Sequence, residues 1–137
     1  MKTFIQMASV AVIFAGFSGG AMAACSPPFM NGSAVNTLLT GNTVCSPANC
    51  SAASCKWQEQ HRTSGELWDY KKGSNPVDPT SKEGNWSVAP TGKVTHSYSG
   101  GSSYTYDVKD NGSGSYSFCG GPAEIFFSVK SGVASGC

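Results

Sequence analysis

Apolar and polar side chains alternate along most of the chain from residue 43 onward. In the run 103–109, for example, Tyr104, Tyr106 and Val108 fall on one side and polar residues on the other. A period of two is typical of a β-strand with one packed face and one solvent-facing face. The pattern predicts eight short strands, at 43–46, 55–62, 66–72, 85–89, 93–99, 103–109, 114–119 and 124–130.

Short turn sequences separate these strands. Examples are Thr63-Ser64-Gly65, Pro90-Thr91-Gly92 and Gly100-Gly101. Strands recurring every 8–12 residues with such turns indicate antiparallel hairpins. We therefore predict an all-β, antiparallel meander of about eight strands, closed as a barrel, with a sandwich as the alternative.

One short helix is predicted ahead of the strands. Ser33 is a suitable N-cap, the helix extends through Leu39, and Gly41 is placed to end it.

The first 24 residues have the three-part pattern of a secretory signal peptide. Lys2 supplies the basic start, residues 4–17 are almost continuously apolar, and Ala21-Met22-Ala23 forms a small-residue cleavage site. We therefore divide the chain into a signal peptide at 1–24 and a single domain at 25–137. The expected location is periplasmic or secreted, with no transmembrane span in the mature chain.

All six cysteines lie in the exported part, which indicates a disulfide-stapled domain. Sequence alone leaves 15 connectivities open. The short spacing favours a bond between Cys50 and Cys55, and Cys25, Cys45, Cys119 and Cys137 would then tie the chain ends to the body. An alternative is lipidation of Cys25, because Met22-Ala23-Ala24-Cys25 is close to a lipoprotein box.

The charge balance makes nucleic acid an unlikely partner class. Of the nine basic residues Lys2 lies in the signal peptide, which leaves eight against eight acidic residues in the exported part. No basic run or stripe is present, as nucleic-acid binding would require.

Four short motifs resemble a group of small exported bacterial domains of unassigned function. They are LLTGNTV at 38–44, GNWSV at 84–88, YTY at 104–106 and YSFC at 116–119. The order of helix, strand and hairpin meander is similar to that of lipocalin-like (calycin-type) barrels. The resemblance implies a barrel architecture and assigns no site residues.

Two candidate chemistries involve His61. Cys45, Cys50 and Cys55 recur every five residues before it, but this spacing fits structural zinc sites only loosely and an exported protein favours disulfides. We therefore expect no metal and no cofactor.

A carboxylate beside a histidine performs acid–base work in many enzymes. Glu59 shares a predicted strand face with His61, and Asp69 lies on the next strand. Such polar alternation is more often a solvated face, so we expect no catalytic residues and no enzyme. A small hydrolase using His61 or His96 remains as a third hypothesis.

Aromatic residues on neighbouring strands are the most informative feature. An eight-stranded barrel is wide enough to be filled by side chains or to hold one small ligand. We predict a non-enzymatic binding module for a small apolar or amphipathic ligand, lined by Trp57, Trp68, Trp86, Tyr104, Tyr106 and Phe118. Ordinary cross-strand packing is the competing explanation of these aromatics.

In the alternative function, the barrel is filled and the protein acts through loops 47–54 and 73–84. Its partner would then be another protein or a glycan.

Overall fold

The computed structural model describes residues 25–72, 81–133 and 136–137. The predicted signal peptide at 1–24 and most of the predicted loop 73–84 lie outside these residues. The described elements are α1 (Gly32–Leu39), β1 (Asn42–Ser46), β2 (Trp57–His61), β3 (Glu66–Lys72), β4 (Ser81–Val88), β5 (Val94–Tyr98), β6 (Ser103–Gly112), β7 (Ser115–Cys119) and β8 (Ile125–Ser131).

The eight strands form a closed antiparallel barrel in chain order. Each strand pairs with the next, and β8 returns to pair with β1, where Asn42 is opposite Ser131 and Cys45 is opposite Ser128. The predicted all-β meander and short N-terminal helix are confirmed, and the barrel is the correct choice over the sandwich. Closure removes the unpaired edges that an open sheet would leave.

Helix α1 begins at a different cap from the predicted one. Asn31, not Ser33, occupies the N-cap position, and its side chain accepts a hydrogen bond from the backbone N–H of Ala34 at 2.9 Å. The predicted end is correct, because Leu39 is the last helical residue and Gly41 follows with φ +72°.

Helix α1 covers one end of the barrel, which we call the closed end. Val35 and Leu39 are fully buried in the apolar core, together with Leu67 and Phe127 from the strands. The backbone before the helix lies against the β4–β5 turn, where a Cβ on Gly92 would stand 2.0 Å from the carbonyl oxygen of Met30. Glycine at position 92 therefore permits the helix to approach the barrel this closely.

Strand β4 begins earlier than predicted. Residues 81–84 belong to the predicted loop, yet Ser81 and Lys82 pair with Asp69 and Trp68 of β3. These residues are mostly polar, so the two-residue alternation that marks the rest of the strand is absent from them.

Three disulfides fasten the chain ends and one loop. Cys50 is bonded to Cys55, as predicted, and the other two bonds join Cys25 to Cys119 and Cys45 to Cys137. The two long-range bonds close loops of 94 and 92 residues. In the chain-entropy account a loop of about 100 residues contributes roughly 4.7 kcal/mol.

Among the described residues, no helix has both the length and the apolar character needed to cross a membrane.

Candidate functional site

A cavity of about 550 Å³ occupies the barrel at the end opposite helix α1. We call this cavity the cup. Its lining comes from every strand of the barrel and from the β5–β6 turn. The aromatic lining residues are Trp57, His96, Tyr98, Tyr104, Tyr106 and Phe118. The acidic lining residues are Glu59, Asp69 and Glu83, and the remainder are small or aliphatic: Val44, Ser46, Gly100, Ser102 and Ile125.

Strand alternation directs most of these side chains inward. Trp57 and Glu59 are two residues apart on β2, and Glu59 is directly opposite Asp69 of β3. In the same way His96 of β5 is opposite Tyr104 of β6. Side chains of opposite residues share one face of a sheet, so these pairs face the cup together.

Glu83 reaches the cup through an irregularity in the pairing of β3 with β4. Leu67 pairs with Gly84 and Trp68 pairs with Lys82, so Glu83 is the extra residue of a β-bulge. A bulge turns a side chain away from the direction that simple alternation would give it. Ser81 donates a hydrogen bond from Oγ to the Glu83 carboxylate at 2.6 Å.

Apart from Trp57, which is on β2 with Glu59, the acidic and aromatic residues lie on different parts of the cup wall. The three carboxylates come from the consecutive strands β2, β3 and β4. Tyr98, Tyr104, Tyr106 and Phe118 come from β5, β6 and β7. We call the first part the acidic wall and the second the aromatic wall.

The aromatic wall is a continuous series of ring contacts. The centroids of Tyr98 and Tyr104 are 6.0 Å apart, those of Tyr104 and Tyr106 are 6.3 Å apart, and those of Tyr106 and Phe118 are 5.3 Å apart. Tyr104 and Trp57 are 44% and 42% exposed, which is unusual for large aromatic side chains lining a barrel. Both rings are therefore accessible to a molecule that enters from solvent.

The two walls are joined by a hydrogen bond. The Tyr98 hydroxyl donates to Oε1 of Glu59 at 2.7 Å. Burial of the ring, and then the nearby negative charge of Glu59, raise the pKa of Tyr98 well above its ordinary value. Tyr98 thus remains a protonated donor, which holds the Glu59 carboxylate in place.

His96 lines the inner end of the cup, and it contacts a second buried histidine, His61, which lies between it and the closed-end core. His61 and His96 approach at 3.0 Å between their Nε2 atoms, so one ring donates and the other accepts. His61 also packs edge-on against Trp86, with centroids 5.1 Å apart, on the side of the closed end. Within the part of the chain that the structure describes, His61 Nδ1 is buried without a hydrogen-bond partner.

Both histidines are neutral at pH 7. Burial, and then the proximity of His96, lower the pKa of His61 well below its ordinary value. Burial lowers the pKa of His96 to about 4. A hydrogen bond between two neutral rings satisfies one nitrogen atom on each ring without placing a charge in the interior.

Four of the six aromatic residues predicted to line the interior do line the cup: Trp57, Tyr104, Tyr106 and Phe118. Trp86 is 8% exposed and belongs to the core of the closed end, where its indole N–H donates to the carbonyl of Arg62 at 3.0 Å.

Trp68 is on the outer face of the barrel, so its predicted interior position is wrong. Its indole N–H donates to Glu66 at 3.1 Å, and the Arg62 guanidinium lies 3.8 Å from the ring centroid. Leu67, its neighbour on β3, takes the inward position.

Sequence reasoning missed several residues of the cup. The sequence analysis relates Glu59 and Asp69 to acid–base chemistry and not to the lining of a cavity. Glu83 belongs to the predicted loop 73–84, so no inward position is predicted for it. His96 and Tyr98 were also absent from the predicted lining. They alternate on one face of a predicted strand, and this pattern could have identified them as lining residues. The bulge that directs Glu83 inward has no comparable signal in the sequence.

Among the residues that the structure describes, no three potential metal ligands converge in the cup. In the described ranges, the one group of three candidate ligand atoms within reach of each other is Cys25, Cys119 and Glu124. Its two sulfur atoms are joined in a disulfide and are not available as thiolates. Likewise the cysteines considered for zinc are all in disulfides, since Cys45 is bonded to Cys137 and Cys50 to Cys55.

Comparison of the chain with protein-family models, with curated proteins and with solved structures gives no match.

Proposed function

We propose that this protein is an exported, non-enzymatic binding module that holds a small amphipathic molecule in the cup. The observation that carries the proposal is the contrast between the two ends of the barrel. The closed end is filled by fully buried side chains such as Leu39, Leu67 and Phe127. The opposite end holds a cavity of about 550 Å³, within the 300–1,000 Å³ range of ordinary ligand sites.

The lining of the cup favours an amphipathic ligand over a purely apolar one. Aromatic rings supply large apolar contact areas, and the carboxylates and tyrosine hydroxyls supply polar atoms that orient a bound molecule. The lipocalin-like arrangement inferred from the sequence agrees with a ligand held in the mouth of a barrel.

The disulfides support export to an oxidising compartment, such as the periplasm or the exterior. The bond between Cys25 and Cys119 also favours a released protein over a lipid-anchored one. A lipoprotein carries its lipid on the sulfur of this cysteine, and a sulfur in a disulfide cannot accept it.

The histidine pair favours binding over hydrolysis. The hydrogen bond of His96 goes to His61, and the low pKa of His96 makes it a weak base. A general base is most effective when its pKa lies near the working pH.

Of the two loops in the alternative function, loop 47–54 is at the same end of the barrel as the cup. The first loop follows β1 and leads to Trp57 of β2, and it is fastened by the Cys50–Cys55 bond and by a hydrogen bond from Asn49 N to Ser128 Oγ at 2.9 Å. The second loop lies mostly outside the described residues.

The three tryptophans provide built-in reporters for a test. Trp57 lines the cup, Trp68 is on the outer face, and Trp86 is in the closed-end core. We would titrate the periplasmic, oxidised protein with 1-naphthylmethylammonium, 1-naphthalenemethanol and 1-naphthoate, and follow the indole N–H signals by NMR. At least one compound is expected to shift the Trp57 signal saturably and to leave Trp68 unchanged.

Two variants complete this experiment. Ser102 lines the cup, so Ser102→Trp is expected to block binding, whereas Thr91→Trp changes an exposed residue in the turn at the closed end and is expected to leave binding intact. If none of the three compounds shifts Trp57, the binding function is wrong and the loop hypothesis takes its place.

A further inference from the structure

We infer that the ligand of the cup is an organic cation, with an ammonium group directed at the acidic wall and an apolar part against the aromatic wall. This inference rests on the proposed binding function and adds the chemical class of the ligand.

Charge is distributed unevenly in a protein that is nearly neutral overall. Three of its eight acidic residues, Glu59, Asp69 and Glu83, line this one cavity. The described lining contains no lysine or arginine. An anionic ligand would meet these three carboxylates in the cup, and juxtaposed like charges oppose binding.

The aromatic wall adds a second attraction for positive charge. The face of an aromatic ring carries negative potential and attracts a cation within about 6 Å of the ring centroid. Tyr104 of this wall is substantially exposed, and so is Trp57, which lines the cup from β2, so both rings are accessible for this contact. Trp and Tyr are also the residues whose rings bind cations best.

The spacing of the carboxylates favours an organic cation over a metal ion. A metal ion requires ligand atoms that converge around one point, and the described carboxylates of the cup do not form such a group. An organic ammonium with an attached apolar group is large enough to contact carboxylates and rings on separate strands. The volume of about 550 Å³ likewise exceeds what a single metal ion would occupy.

The test compares three compounds that share a naphthyl group and differ in the charge of their head group. Dissociation constants of 1-naphthylmethylammonium, 1-naphthalenemethanol and 1-naphthoate are measured from the Trp57 indole signal of the periplasmic, oxidised protein. The ammonium compound is expected to bind at least tenfold more tightly than the alcohol, and the carboxylate more weakly than either. The preference for the cation is expected to decrease as salt is added, because ions screen exposed charges.

Variants assign the preference to the acidic wall. Glu59→Gln and Glu83→Gln each remove one negative charge while keeping an oxygen that accepts from Tyr98 or Ser81. Each is expected to weaken ammonium binding on the order of tenfold, with the alcohol changed less than about twofold. The matched control is Asp110→Asn, an exposed residue in β6 near the β6–β7 turn, which is expected to change neither. The Trp86 signal reports whether each variant retains its core.

The outcomes separate this inference from the binding function. If the alcohol binds as tightly as the ammonium compound, or if both glutamine variants retain the preference, the cup is a binding site without selectivity for cations. If calcium chloride displaces the ammonium compound and sodium chloride of the same ionic strength does not, a metal site is the better explanation and the inference is wrong. If no compound shifts Trp57, the binding function itself fails.

Discussion

At the scale of residues, the buried His61–His96 pair is the least ordinary feature. Both side chains are almost completely buried, at 0% and 2% exposure, and each is in contact with the other. The aromatic rings that contact the two histidines are all uncharged: Trp86, Tyr98, Tyr106 and Phe118. Glu59 is two residues from His61 on the same face of β2, but burial is the largest effect on both histidine pKa values. The pair is therefore stable only while it is neutral.

This pair predicts that the protein loses stability in mild acid. The folded pKa values lie below the unfolded value of about 6.5, so the unfolded chain binds more protons as the pH falls. The contribution of the histidine pair to the free energy of unfolding should be constant above about pH 7 and should decrease as the pH falls from about 6.5 to about 4. The slope is at most about 1.4 kcal/mol per pH unit for each histidine.

Urea unfolding at a series of pH values measures this slope. The hydrogen bond from Lys82 lowers the pKa of Glu66 in the folded protein. The contribution of Glu66 to stability is therefore lost only when the pH falls below the ordinary pKa of a glutamate, which is below the pH range of 6.5 to 5 where the histidines have their largest effect. A His61→Gln, His96→Gln double variant should flatten the profile between pH 6.5 and 5. An unchanged profile in that variant, or constant stability of the parent protein down to pH 5, would show that the pair does not remain neutral.

At the scale of elements, the sequence predicts strand bounds correctly where apolar and polar residues alternate strongly. It does not predict bounds or side-chain orientation where these depend on how two strands pair. Strand β3 has the predicted bounds, because Leu67 and Trp68 begin a clear alternation. The start of β4 was missed because its first residues are polar, and the bulge at Glu83 depends on the pairing with β3. Leu67 and Trp68 are on opposite faces of β3, and alternation alone does not decide which face is inward; pairing in the barrel turns Leu67 to the core and leaves Trp68 outside.

Helix α1 is expected to contribute to stability mainly through Leu39. This side chain is fully buried in the closed-end core, whereas Leu38 is partly buried at its edge. Leu39→Ala should lower the free energy of unfolding by about 2–5 kcal/mol through lost burial and the remaining cavity. Leu38→Ala has the same chemistry and should cost clearly less in the same urea experiment. Equal losses in the two variants would mean that α1 does not close the barrel as described.

At the scale of the whole molecule, the barrel has two dissimilar ends. Overall composition does not reveal this, because the eight basic and eight acidic residues of 25–137 give a neutral sum. Only closure of the barrel brings Glu59 of β2 and Glu83 of β4 into one cavity facing Tyr104 of β6. The fold class was thus predictable from local alternation, whereas the acidic and aromatic walls depend on long-range pairing and one bulge.

The most direct test of this two-ended barrel is a crystal structure of residues 25–137, with the three disulfides formed, in the presence of 1-naphthylmethylammonium. The account predicts naphthyl density in the cup, between Trp57 and the aromatic wall formed by Tyr104 and its neighbours. The ammonium nitrogen should lie within hydrogen-bond distance of Glu59 or Glu83, and the closed end should remain filled. A barrel whose open end is filled by its own side chains, or a ligand bound beside Trp68 on the outer face, would contradict it.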